Sequence, residues 1–261
     1  MNFSVYNTLP IGQIYAGTPI STPVYRPNRA YSDNVSVNRD LDRILDNRVL
    51  TDMVNSNPVL LSLLRANNLK PVVNVDNFKR TTYQHSVDTK NISVGIYNAL
   101  PADIKSQANL NYIQKGALLH DIGKVLIPEK ILNKKGKLTP EETEIMHLHS
   151  KLSEGILATQ NIEPEVLNIV KYHHQNKKGT GYPVIMNTLA GHDVNTEIVA
   201  LADKYSALTE KRAYKAPMSK DEALAILKKD VDDGNTNPRI YNALVGYLNN
   251  TGNNLLQKAV A

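Results

Sequence analysis

Five of the seven histidines in this chain, together with two aspartates, fall into short motifs whose donor types suit divalent metal ions. They are His85 in Gln84-His85-Ser86, His120-Asp121 in Leu119-His120-Asp121-Ile122-Gly123-Lys124, His149, the doublet His173-His174, and Asp203 in Ala202-Asp203-Lys204-Tyr205. A neutral imidazole binds borderline divalent ions through one ring nitrogen, and a carboxylate can bridge two ions. Five His and two Asp supply enough donors for two close ions with positions left for water. Such a pair generates hydroxide at neutral pH and stabilises in-line displacement at phosphorus. The chemistry suggested is metal-dependent phosphoester hydrolysis.

Helices must position these donors, and the apolar periodicity predicts an all-α fold. One helix is expected over about Arg80 to Ala99, with His85, Ile92, Ile96 and Ala99 on one stripe, and a second over about Gln107 to His120. Thr139, Pro140 and Glu142 form a capping box that opens the next, whose inner stripe is Ile145, His149, Leu152 and Ile156. Pro164 starts another, carrying Val166, Ile169, Val170 and His173. Asp203 belongs to a helix over about Thr196 to Lys211. Ser219 and Glu222 form a second capping box, and Pro238 begins a last helix running through Tyr247. Each candidate donor therefore sits on or at the end of an apolar stripe, as ligands do in a helical bundle core. One such histidine alone reads as a hydrogen-bonded core residue; five on separate helices read as a site. His147 and His192 are expected to stay outside it, His147 because it faces away from His149 and His192 because it lies in a loop.

The chain has 261 residues, of which 41% are hydrophobic, enough for a good core. Residues 1–40 are rich in Asn, Ser, Pro and Tyr and read as a polar tail or arm. Residues 41–75 read as a short helical segment, 76–250 as the main domain and 251–261 as a C-terminal tail. The absence of cysteine excludes disulfides, zinc ribbons and thiol catalysis, so any metal is held by His, Asp and Glu. A net charge of +5 spread along the chain argues against a dedicated nucleic-acid surface and suits a small phosphate substrate. Neither a secretory signal nor a membrane span is legible, which makes a cytoplasmic protein the expectation.

The motif order resembles the HD superfamily of metal-dependent phosphohydrolases. The text Leu118-Leu119-His120-Asp121-Ile122-Gly123-Lys124, then Ile127-Pro128, His173-His174, Gly179-Thr180-Gly181-Tyr182-Pro183 and Ala202-Asp203-Lys204-Tyr205-Ser206-Ala207-Leu208-Thr209 is similar to its HD-GYP family over about residues 80–216. That family hydrolyses the bacterial second messenger cyclic di-GMP. The resemblance implies an HD-domain helical bundle with a dinuclear centre in its core. One ion would be held by His85, His120, Asp121 and Asp203, the other by Asp121, His149, His173 and His174, with Asp121 as the bridge. A hydroxide between the ions would be the nucleophile and Lys124 would face the substrate phosphate. Tyr182 would lie beside the substrate, and Arg212 and Lys215 would contact the guanine and phosphate of the dinucleotide. Iron or manganese is favoured, with nickel or zinc also admissible.

The chain departs from that pattern in informative places. Thr81 stands where family members with a third metal have Glu, so two ions are expected. Gln175 and Lys178 replace Glu and Asp after the doublet. Ser206 replaces an Asp that is a candidate proton donor, and serine cannot act as an acid near neutral pH. Three readings follow: a cyclic-dinucleotide phosphodiesterase, an HD phosphohydrolase of other nucleotides, and a cyclic-nucleotide-sensing or protein-docking module acting through residues 1–75.

Overall fold

The computed structural model describes residues 41–184, 193–210 and 216–260, and for 251–260 the backbone alone. The expected arm at 1–40, the loop histidine His192 and the two expected substrate contacts Arg212 and Lys215 lie outside the described residues. The described residues form helices and no strands. In chain order the helices are α1 (Asn47–Asn55), α2 (Pro58–Ala66), α3 (Val75–Thr81), α4 (Tyr83–Ala99), α5 (Ala102–Lys105), α6 (Leu110–Leu119), a 3-10 turn (Ile122–Leu126), α7 (Glu129–Leu132), α8 (Pro140–His147), α9 (His149–Leu157), α10 (Pro164–Tyr172), α11 (Val194–Thr209), α12 (Lys220–Asp232) and α13 (Pro238–Val260).

Local chemistry sets the boundaries. Thr139 and Ser219 accept from the backbone of Glu142 and Glu222, and both glutamates reach back, so both capping boxes form. Asn109 caps α6, which starts three residues later than expected, and Asp193 caps α11. Two expected helices are broken. The first divides at Thr82 into α3 and α4, and the one opened by Pro140 divides at Leu148 into α8 and α9. No proline or glycine marks either break. Ala99 is exposed rather than inward, and the inner face of α4 is instead largely polar, with His85, Ser86, Thr89 and Ser93 buried. The last helix continues from Tyr247 to Val260, through residues expected to form a tail.

Two apolar cores flank the polar centre. One gathers Leu41, Leu45, Leu50, Leu60, Phe78, Leu118, Ile122, Leu152, Ile156 and Val170; the other gathers Ile96, Ile113, Ala117, Ile169, Ile198, Leu201, Leu227 and Leu244. Helices α6 and α10 run between them, each presenting residues to both. Residues 41–66 are thus part of the core. Asn57 caps α2 with its Oδ1 and donates Nδ2 to the Gly155 carbonyl at 2.8 Å, tying α2 to α9.

Candidate metal centre

The seven candidate donors converge at the junction of the two cores. His120 caps the C-terminus of α6 and His173 that of α10, both fully buried; His149 opens α9, His85 lies in the first turn of α4, and Asp203 comes from the middle of α11. Three groups of donor atoms lie within 4.8 Å of one another: His149, His173 and His174; His85, His120 and Asp121; and His120, His173 and Asp203.

Helix ends explain how the rings are aimed. The last carbonyls of a helix lack intrahelical partners, so a histidine just beyond them can donate to one. Nδ1 of His120 donates to the Ala117 carbonyl at 2.7 Å, that of His149 to Met146 at 2.7 Å and that of His173 to Val170 at 2.8 Å. A carbonyl only accepts, so each Nδ1 carries the hydrogen and each Nε2 is turned to the centre.

Nε2 of His149 and of His173 are 3.3 Å apart, and His174 Nε2 is 3.1 Å from His149 Nε2. His149 and His173 both carry their hydrogen on Nδ1 and are held neutral, so their two Nε2 lone pairs repel at that distance unless a cation stands between them. The buried Nε2 of His120 and Oδ1 of Asp121 have no hydrogen-bond partner. Orphaned acceptors at zero exposure cost about 1–3 kcal/mol each in an apolar site, and a divalent ion removes that cost. The donor set fits such ions.

The carboxylates face both sides. Asp121 sets Oδ2 3.2 Å from His120 Nε2 and Oδ1 3.3 Å from His149 Nε2. Asp203 sets Oδ1 2.8 Å from His85 Nε2 and Oδ2 3.7 Å from His174 Nδ1, so it too is shared. Burial pushes both acids up, but His120 and Lys124 beside Asp121, and His85 and His174 beside Asp203, hold them well below the usual carboxylate range. Burial depresses His149 to about 4 and His173 to about 3, keeping the rings neutral, the form that binds metal. For His85 burial opposes charge, yet hydrogen bonds to Asp203 and Glu210 carry it to about 9.

Around this centre, Lys124 Nζ donates to Asp121 Oδ2 at 2.5 Å. Gly123 and Gly181 make close approaches that no side chain could share. A Cβ on Gly123 would lie 2.2 Å from the His149 carbonyl oxygen, and one on Gly181 2.1 Å from that of His174. Ser153 accepts from the Gly123 amide at 2.7 Å and donates to the His120 carbonyl at 2.8 Å, fastening α9 to the His120-Asp121 turn. Tyr182 lies against His174 with ring centroids 4.4 Å apart.

His147 stands beside the donor set rather than in it. Its ring stacks on Tyr182, with centroids 3.8 Å apart and planes at 12°. Sequence reasoning missed Ser153 and Glu210, since nothing local couples residues so far apart in the chain.

Comparison with known proteins identifies the family and the fold. The sequence profile of the HD domain family matches residues 49–240. A probable cyclic di-GMP phosphodiesterase of Vibrio cholerae is 42% identical over 137 residues, covering 48% of this chain and 30% of that protein. The 3'3'-cGAMP-specific phosphodiesterase 1 of the same species is 32% identical over 171 residues, covering 66% and 39%. The cyclic di-GMP phosphodiesterase PA4108 of Pseudomonas aeruginosa is 30% identical over 226 residues, covering 84% and 52%. The chain spans about half the length of these relatives or less. Among solved structures, Bd1817, an HDG"Y"P protein from Bdellovibrio bacteriovorus, superposes with a TM-score of 0.53 at 18% identity, covering 82% of this chain and 68% of that one, a likeness of fold. Matched by the family profile over most of its length and sharing this helical architecture, the chain belongs to the HD domain family.

Proposed function

We propose that the chain is a metal-dependent phosphodiesterase that hydrolyses cyclic di-GMP or a related cyclic dinucleotide. The observation that carries this reading is the convergence of the His149 and His173 Nε2 atoms beside a buried His120 Nε2 and Asp121 Oδ1 that have no hydrogen-bond partner. His85, His120, Asp121 and Asp203 would hold one ion, and Asp121, His149, His173 and His174 the other. Iron or manganese suits this set of nitrogen and oxygen donors, with nickel or zinc as alternatives. Bound there, such ions acidify water and neutralise charge developing at phosphorus.

The chain's own groups supply the rest. Asp121 lies between the two donor groups and holds them in register. Lys124, at Asp121 and only 18% exposed, adds a positive charge where a substrate phosphate would approach. The Tyr182 hydroxyl stays protonated, because burial raises its pKa above the usual phenol value, so it can donate to the substrate. Arg212 and Lys215 would contact guanine and phosphate with the paired donors of a guanidinium and with an ammonium. Ser206 is engaged with His85 at 3.1 Å and has no acidic proton, so the leaving oxygen takes its proton from water. Thr81 is exposed and spends its hydroxyl on the Asn77 carbonyl, which favours two ions over three.

Relatives named for cyclic di-GMP and for 3'3'-cGAMP make both ligands the substrates to try first. Protein purified anaerobically and loaded with Mn2+ or Fe2+ should convert at least one of them to the linear dinucleotide, read by chromatography. Intact cyclic dinucleotides alongside cleavage of another phosphate ester would instead support an HD phosphohydrolase of different specificity.

A further inference from the structure

The four best-buried histidines of the centre divide by how Nδ1 is held. His120, His149 and His173 each use a carbonyl three residues earlier, which the end of a helix leaves available. His85 cannot. It lies in the first turn of α4, where amides and not carbonyls are unpaired, so its Nδ1 needs an acceptor from another element. The C-terminal end of α11 provides it: Ser206 Oγ lies 3.1 Å from Nδ1 and Glu210 Oε2 lies 3.5 Å from it. These two residues are one turn apart on the same face. Glu210 is also the C-cap of α11, its amide donating to the Ser206 carbonyl at 2.9 Å. A carboxylate at a helix C-terminus is disfavoured by the helix dipole, so this placement needs a compensating partner, and His85 is one.

We infer that Glu210 is a positioning residue for the metal centre, fixing His85 through Nδ1 so that Nε2 points at the ion and is a stronger donor than its carbonyl-held neighbours. The inference rests on His85 being a ligand in the proposed function. A carboxylate behind a ligating histidine fixes its tautomer and raises its basicity, and losing such a partner lowers metal affinity by about 10–100-fold. Ser206 alone supplies a hydroxyl without charge.

The test is Mn2+ affinity of the full chain, measured by titration calorimetry for wild type, E210Q, H85N and the double variant. E210Q should weaken binding by about 10-fold or more. In the H85N background the same change should have little further effect, because the carboxylate acts through the ring. In zinc-loaded, 15N-labelled protein, the His85 Nδ1–H proton should lie downfield and move upfield in E210Q, a readout that does not need H85N to fold. An E210Q protein that binds Mn2+ as tightly as wild type, or that weakens equally with and without His85, overturns the inference. Wild type that binds no Mn2+ overturns the metal reading itself; wild type that binds while E210Q is unaltered overturns this inference alone.

Discussion

Gly181 offers a sharp test of how the Gly-Tyr-Pro loop supports the centre. A Cβ added there would lie 2.1 Å from the His174 carbonyl oxygen and 2.8 Å from Gln175 Cα, all backbone atoms that no side-chain rotation can move aside. Restoring ordinary contact needs a shift of about 1 Å between the loop and the doublet. Overpacking of this kind costs about 1–3 kcal/mol, which for a domain of this size lowers the melting temperature by roughly 2–10 °C. It also displaces His174 and Tyr182 together, and a ~1 Å misplacement at a reacting centre can cost on the order of 100-fold in rate. Gly246 is the matched control. It lies in α13, nothing stands within 4 Å of its Cβ position, and alanine there should be neutral or stabilising by up to about 1 kcal/mol. Melting curves with and without Mn2+ and calorimetric Mn2+ affinity give the readout. If G181A melts like wild type and keeps its metal affinity, the loop does not press on the doublet as described.

Three further outcomes are expected. S153A removes the hydroxyl joining the Gly123 amide to the His120 carbonyl and leaves both buried groups without that partner, so chemical denaturation should show a loss of about 1–3 kcal/mol. H147A removes the stack on Tyr182 and should cost about 0.5–1.5 kcal/mol by the same measurement, with H147F restoring it. For chelator-treated protein, His149 and His173 have folded pKa values of about 4 and 3, so the unfolded chain binds more protons as pH falls below about 6.5. Their contribution to stability therefore declines on acidification, by on the order of 1.4 kcal/mol per ring per pH unit. His85 has the opposite sign: raised to about 9, its contribution is full below about 6.5 and lost as pH rises through about 9. A melting-temperature profile with its maximum near neutrality is the result, and a flat profile between pH 4.5 and 6.5 would contradict it.

Much of the helical layout was legible because short-range chemistry decides it. Thr139 with Glu142 and Ser219 with Glu222 announce helix starts, and the polar residues interrupting apolar stripes mark the positions that converge. What escaped sequence reading depends on tertiary packing. The breaks at Thr82 and Leu148 carry no breaker residue, yet they turn His85 and His149 inward. Residues 41–75 read as a short helical segment with no partner legible, but Leu60 packs against Gly155 and Asn57 donates to its carbonyl, contacts that no local pattern encodes. The sharing of Asp203 was equally hidden, since its partners His85, His120 and His174 come from three different places in the chain.

The central claim is that these seven donors hold a metal pair that hydrolyses a cyclic dinucleotide. The direct measurement is metal content and cyclic di-GMP turnover on the same anaerobic preparation, for wild type and Asp121→Ala. About two ions per chain with linear product from wild type, and loss of both metal and turnover in the variant, is the expected result. Metal and turnover both retained in Asp121→Ala, or turnover by metal-free wild type, would contradict the account.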